Sequence, residues 1–331
     1  MGLPKARPEG SIRATRFAFL ALLLAPFAAH AQTPLKVAVV SRTIFYLPAW
    51  TAQQQGFFKQ AGIDAQIDVY DAADRILGDL RAGSHQIGIT SIENVIAEAY
   101  KGSTLRIVAG TAQRPPHFII AQPEITSLAG LKGKRIGVVS MQEGTTFFVK
   151  DIARKGGFEL ADVTVQAVGG SPTRARLLRE RKIDAGLQPY PLSYEAEAAG
   201  LRNLGAIADL VPDYQFTSVV VDEAWARPNE AVLVAFLRAL RRGSDYMFAH
   251  PDVSAELGAR ELHTTPAFAR RALEDTVRMD VLARDLAITD KSLVRVFDNV
   301  KAAGLLPADA TYDRGRFVDE RYLDGARAPH P

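Results

Sequence analysis

Small hydroxyls, carboxylates and aromatic side chains recur in this sequence where a strand-like run gives way to a helix-like one. Thr90 and Ser91 follow one apolar run, and Thr145 and Thr146 follow another. A hydroxyl at such a junction either caps the new helix or reaches a ligand held at the helix end. Glu93 and Glu143 lie three residues after Thr90 and Ser140. That is the spacing of a capping box, in which the carboxylate accepts from the N-cap N–H; Glu143 equally suits a ligand that donates a hydrogen bond. Phe45, Tyr46 and Tyr190 supply apolar area, with a polar tip on the tyrosines, of the kind that walls small-molecule sites or packs on a neighbouring helix. Arg42 and Arg114 suit either bidentate recognition of an anion or a solvated surface.

Signatures of catalysis are weak by comparison. The six histidines are scattered without metal-ligand spacing, and no nucleophile elbow, Walker A loop or G-x-G-x-x-G fingerprint is present. The chain has no cysteine, which excludes disulfides, thiolate metal sites and thiol nucleophiles. The expectation is a binder that uses no cofactor.

The elements that must position these groups read as alternating strands and helices. Strands are expected at 35–40, 63–69, 86–89 and 105–109, with helices at 47–62, 72–82 and from Ile92 between them. The pattern restarts with strands at 135–139, 163–168 and 184–187 and helices at 144–155, 172–181 and 190–199. Three landmarks repeat at an offset of about 98 residues, the spacing of a duplicated unit: Val39-Val40-Ser41 with Val138-Val139-Ser140, Ile89-Thr90 with Leu187-Gln188, and Gly102 with Gly200. Such alternation implies mostly parallel sheets flanked by helices. Linkers are expected at 110–123 and 209–214. Beyond them, one strand at 216–221 is followed by helices, too little for a third sheet, so this block should return to the first lobe. The expected organisation is a lobe of residues 32–114 and 215–331, and a second lobe of 115–214, joined by a two-segment hinge.

Ligands of open parallel sheets bind beyond the carboxyl ends of the strands. That rule selects the loop 41–46, which opens with Ser41, the loops 90–93 and 140–146, and the loop 188–191, which opens with Gln188. The candidate ligand contacts are Ser41, Phe45, Tyr46, Thr90, Ser91, Glu143, Thr145, Thr146, Gln188 and Tyr190.

The first 31 residues read as a secretory leader. Lys5, Arg7, Arg13 and Arg16 precede the apolar run 17–25, and Ala29-His30-Ala31 gives a small-x-small cleavage pattern. The run is well short of the roughly 20 residues that a spanning helix needs. Cleavage after Ala31 would leave 36 of the 40 basic and 36 of the 37 acidic residues, so the formal charge of +3 belongs to the leader. Nucleic-acid binding loses its electrostatic footing. A soluble, periplasmic product is expected.

An ordered series of short motifs resembles a known family. Pro48-x-x-x-Ala52-x-x-x-Gly56-Phe57-Phe58, then Gly62-Ile63, opens it. Leu80-x-x-Gly83-x-x-Gln86-Ile87-Gly88, Lys101-Gly102, Ile107-Val108-Ala109-Gly110 and Leu128-x-x-Leu131-Lys132-Gly133-Lys134-x-Ile136-Gly137 follow in order. The series resembles the periplasmic sulfonate-, taurine-, nitrate- and thiamine-precursor-binding proteins of ABC transporters. The resemblance implies the type II periplasmic-binding fold, with a small-molecule ligand between two lobes and contacts from the loops at Ser41, Thr90-Ser91 and Glu143 to Thr146. It implies a monomer whose partners are a membrane permease and its ATPase. The expected ligand is an organic anion such as a sulfonate or carboxylate. The same fold also hosts a thiamine-pyrimidine synthase and ligand-sensing domains, which are the alternative readings.

Overall fold

The computed structural model describes residues 1–2, 31–70, 72–142 and 144–328. Nearly all of the leader, Glu143 and the last three residues lie outside the described residues. From Gln32 onward the chain forms one compact unit, and no helix among the described residues is long and apolar enough to cross a membrane.

Among the described residues, ten strands form two five-stranded sheets. They are β1 (Thr33–Val39), β2 (Ile63–Val69), β3 (Ile87–Thr90), β4 (Leu105–Ala112), β5 (His117–Ala121), β6 (Arg135–Val138), β7 (Thr164–Ala167), β8 (Ala185–Pro189), β9 (Arg202–Ala206) and β10 (Thr217–Asp222). The first sheet runs β2-β1-β3-β10-β4 and the second β7-β6-β8-β5-β9. In each, four strands share one direction. The fifth, β10 in the first sheet and β5 in the second, runs antiparallel between two of them. The two orders have the same form, as the repeated landmarks led one to expect. Strands β3, β8 and β10 are buried at every residue, as helices on both faces require. Strand β2 lies at an edge and its burial is intermittent.

Three expectations need correction. The stretch 110–123 is not a linker. Strand β4 continues to Ala112 and β5 begins at His117, so only 113–116 cross between the sheets. Pro115 and Pro116 dominated the sequence pattern, but the run beyond them, HFIIA, is a fully paired interior strand. Strand β9 was also missed, because RNLGA carries little β-propensity and Gly205 has a positive φ of 125°. The expected helix at 47–62 is two pieces, Leu47–Gln54 and Phe57–Gln60, split at Gly56, whose φ of 71° suits glycine best.

The C-terminal helices return to the first sheet. Helix Asp290–Ala302 lies beside helix Glu93–Ala99, with Phe297 against Tyr100 at 5.7 Å. Helix Glu230–Ala249 crosses Leu47–Gln54, and Phe236 stacks on Phe58 at 5.1 Å. Helix Pro266–Arg278 also reaches the second half of the molecule. Asp275 accepts from Tyr194, and the Arg271 guanidinium lies 3.9 Å from the same ring.

Candidate ligand cleft

A narrow cavity of about 40 Å³ lies between the two sheets, well below the roughly 300–1,000 Å³ usual for small-molecule sites, so the halves must part to admit a ligand larger than a few waters. The first half contributes Ser41, Phe45 and Tyr46 from the loop after β1 and Ser91 from the loop after β3. The second half contributes Thr145 after β6, and Ser171 and Arg174 after β7. His117, Phe216 and Thr217 come from the starts of the two antiparallel strands. Carboxyl ends of parallel strands and amino ends of antiparallel ones lie at the same edge of a sheet, so all of these groups converge.

The walls are aromatic. Phe216 meets Phe45 edge-on at 5.6 Å and His117 at 4.9 Å. His117 is 2% exposed, and its Nδ1 has no partner among the described residues. Burial, reinforced by the charge of Arg174, holds its pKa well below the usual imidazole range, so the ring is neutral.

Arg174 supplies the polar centre. It is 1% exposed. Its Nε and Nη2 donate to the Leu187 carbonyl at 3.1 and 2.9 Å, Nη1 donates to the Gly169 carbonyl at 2.8 Å, and Nη2 also donates to Ser171 Oγ at 2.9 Å. These bonds fix the guanidinium beside the cavity. Helices Gly144–Gly156 and Ser171–Arg179 begin at the same place, and their N-terminal N–H groups add positive potential.

Of the residues expected at the site, Ser41, Phe45, Tyr46, Ser91 and Thr145 line this cavity. Thr90, Thr146, Gln188 and Tyr190 do not, and each has another position. Thr90 is buried, with no partner for its hydroxyl among the described residues. Thr146 donates to the Ser140 carbonyl. Gln188, with its amide turned to suit its neighbours, donates to the Ser171 carbonyl at 3.2 Å and accepts from Ala175 N at 3.0 Å. Tyr190 accepts from Thr276 Oγ1 at 3.3 Å and stacks on Tyr194. Glu143 lies outside the described residues. Arg42 pairs with Glu261 at 3.1 Å and Arg114 with Asp280 at 3.9 Å, and neither lines the cavity.

His117, Ser171, Arg174 and Phe216 were missed. The run Gly169-Gly170-Ser171-Pro172 after a strand was a usable signal, since proline favours the first turn of a helix. His117 and Phe216 gave none, because His117 lies inside one stretch that reads as a linker and Phe216 lies just past the other.

Thr145 has a structural bond as well: its Oγ1 accepts from the Val139 N–H at 3.0 Å. Thr145→Val should therefore lower stability by about 1–2 kcal/mol, because a part-buried N–H loses its acceptor. Thermal unfolding checks this, and an unchanged midpoint would show that Val139 finds water instead.

The capping box expected at Thr90 and Glu93 does not form. Ile92 is the N-cap of helix Glu93–Ala99, without a side-chain bond. Glu93 is fully buried and accepts from Tyr214 Oη at 2.7 Å. Burial raises its pKa to about 7, against the opposing pull of the bonds from Tyr214 and Ser91.

A family model described as NMT1/THI5 like matches residues 45–254, more than half of the chain. The chain belongs to the NMT1/THI5-like family. Among similar proteins, a Brucella abortus (strain 2308) protein named for binding is 29% identical over 222 residues, covering 65% of this chain and 67% of its own. The 4-amino-5-hydroxymethyl-2-methylpyrimidine phosphate synthase of Uromyces fabae is 25% identical over 288 residues, 81% of this chain and 82% of its own. The ligand-binding component of an ABC-type import system from Staphylococcus aureus, solved with zinc bound, superposes with a TM-score of 0.74 at 14% identity, covering 89% of this chain and 99% of its own. The alkanesulfonate-binding protein SsuA of Xanthomonas axonopodis pv. citri, solved with MOPS, does so with a TM-score of 0.69 at 16% identity, covering 83% and 94%. These neighbours share the two-lobed periplasmic-binding fold. Binders and a synthase both occur in this company, so the fold alone does not decide between them.

Proposed function

We propose that this protein is the extracytoplasmic solute-binding component of an ABC importer, and that it takes up a small organic anion with an apolar or aromatic part and releases it unchanged. The observation that carries the reading is Arg174, buried beside the cavity at the start of two helices and faced by Phe45, His117 and Phe216. An anionic head would lie against the helix ends, in the field of the guanidinium, and its body would lie among the rings. Residues 32–114 with 215–331 form one lobe and 115–214 the other, and ligand closes them. The leader directs export and is removed after Ala31. The mature protein acts as a monomer and delivers its ligand to a permease driven by its ATPase.

The binder is preferred over an enzyme of the same fold for a chemical reason. The chain has no cysteine. Among the described residues, no cluster of three or more His, Cys, Asp or Glu is arranged to hold a metal. Nδ1 of the neutral His117 has, among the described residues, no hydroxyl or carboxylate bonded to it.

Native mass spectrometry of the purified protein, followed by calorimetry with MOPS, small alkanesulfonates, aryl carboxylates and riboflavin, tests the reading. A true ligand at 100 times its Kd should add about 2.7 kcal/mol of stability. It should also shrink the radius of gyration and be recovered intact. A compound that binds and returns chemically altered would overturn the proposal.

A further inference from the structure

Glu93 stands where the two halves of the molecule meet. It begins a helix of the first half, yet its neighbours come from elsewhere. Tyr214 Oη, on the segment that crosses between the sheets, holds its Oε1 at 2.7 Å, and Oε2 has no partner among the described residues. Gly144 opens helix Gly144–Gly156 of the second half and lines the ligand cavity. A Cβ on Gly144 would lie 2.7 Å from Glu93 Oε1 and 3.5 Å from Phe216 Cε2. The carboxyl cannot swing aside, because Tyr214 fixes it and the residue is 0% exposed.

We infer that Glu93 is a positioning residue for the cleft: its buried carboxyl, carried by the first lobe, is the surface on which Gly144 of the second lobe seats when the lobes close over ligand. The contact sets how near the helix start, with Thr145 beside it, can come to Phe216 and the first-lobe loops. The inference rests on the receptor reading for its two moving lobes, but its test does not need the ligand.

Closing also removes the carboxyl from water, so the protonated form is favoured in the closed state. The closed-state pKa of about 7 lies above the usual 4.5. The protonated carboxyl's contribution to closure is therefore complete below about pH 4.5 and is lost as pH rises through 7. The charged group that acts on the Glu93–Tyr214 pair is Arg295 on helix Asp290–Ala302, and Asp151 on helix Gly144–Gly156 faces it and also pairs with Arg154 of its own helix at 2.5 Å. Asp151 and Arg295 are paired with each other at 2.7 Å. Burial and Glu93 push Tyr214 well above its ordinary range, so it stays a neutral donor across this window.

The absence of cysteine makes the test direct. Lys59→Cys and Lys182→Cys place one exposed label on each lobe, and pulsed electron resonance reads the distance between them without added ligand. Against this background Gly144→Ala should cut the closed population by about tenfold or more, the effect of forcing one methyl group into a filled contact. Glu93→Ala combined with Gly144→Ala should restore it to within about threefold, a coupling that independent structural damage does not produce. The unaltered pair should shift toward longer distances between pH 5 and 8. Glu93→Gln, which still accepts from Tyr214, should abolish that shift, while Glu143→Gln should keep it. If Gly144→Ala leaves the distances unchanged, if the double variant stays open, or if Glu93→Gln titrates like its parent, the inference is wrong. A receptor that still closes on ligand in those cases would leave the proposed function standing.

Discussion

Arg174→Met should weaken binding of any anionic ligand by about a hundredfold or more. Removing one member of a desolvated, hydrogen-bonded charge pair costs about 2–5 kcal/mol. The methionine keeps the apolar stem and deletes the fork. Two further groups would suffer, since the carbonyls of Leu187 and Gly169 both take donors from this side chain. Each buried acceptor left bare costs about 1–3 kcal/mol, so stability should fall by roughly 2–6 kcal/mol. Affinity and stability then need separating. Arg174→Lys retains the charge without the planar fork and should recover part of the affinity. Calorimetry with an anionic ligand and denaturant melts on the three proteins give both numbers. Full affinity in Arg174→Met would place the anion elsewhere and remove the observation on which the functional reading stands.

Gly243→Ala should be strongly destabilising. A Cβ at Gly243 would lie 2.4 Å from the Pro48 carbonyl oxygen, 2.8 Å from Ala52 Cβ and 2.9 Å from Ala52 N. Two of these are backbone atoms, which cannot turn away as a side chain can. Helices Glu230–Ala249 and Leu47–Gln54 must move apart, and overpacking of this kind costs about 1–3 kcal/mol or more. Alanine returns up to about 1 kcal/mol in helix propensity, so a net loss of roughly 1–3 kcal/mol is expected. In a chain of this size each kcal/mol lowers the melting temperature by about 2–4 °C. Ligand affinity should fall too, because helix Leu47–Gln54 begins directly after Phe45 and Tyr46 in the cleft wall. A melting temperature equal to the parent's would mean that the crossing is looser than described.

The alternation of strands and helices was readable because each element carries its own period, as in β2, whose expected and observed limits coincide at Ile63–Val69. The partners of a strand are a different matter. Nothing local marks Thr217–Asp222 as the neighbour of both β3 and β4, because pairing across such a separation is set by the whole sheet. The same limit explains the site. Ser41, Phe45, Tyr46, Ser91 and Thr145 follow strands that the sequence reveals, so the loop rule found them. His117 and Phe216 sit where the chain enters the antiparallel strands β5 and β10, and Arg174 sits one turn into a helix whose preceding loop carries no aromatic or acidic signal. Tyr190 follows an identified strand but turns toward Thr276, because helix Pro266–Arg278 comes within its reach. Only the assembled fold shows that neighbour.

The insertion of β10 between β3 and β4 also orders events in time. A ribosome delivers residues 117–206 as one uninterrupted stretch, so the second sheet can be completed as soon as Ala206 has emerged. The first sheet cannot. Its β3 and β4 are made early, yet the strand between them arrives more than a hundred residues later. Until then both present bare edges, the surfaces on which chains pair wrongly with one another. The half of the molecule synthesised first is therefore the half that finishes last, and a chaperone that holds the nascent chain would be needed longest at Ile87–Thr90 and Leu105–Ala112.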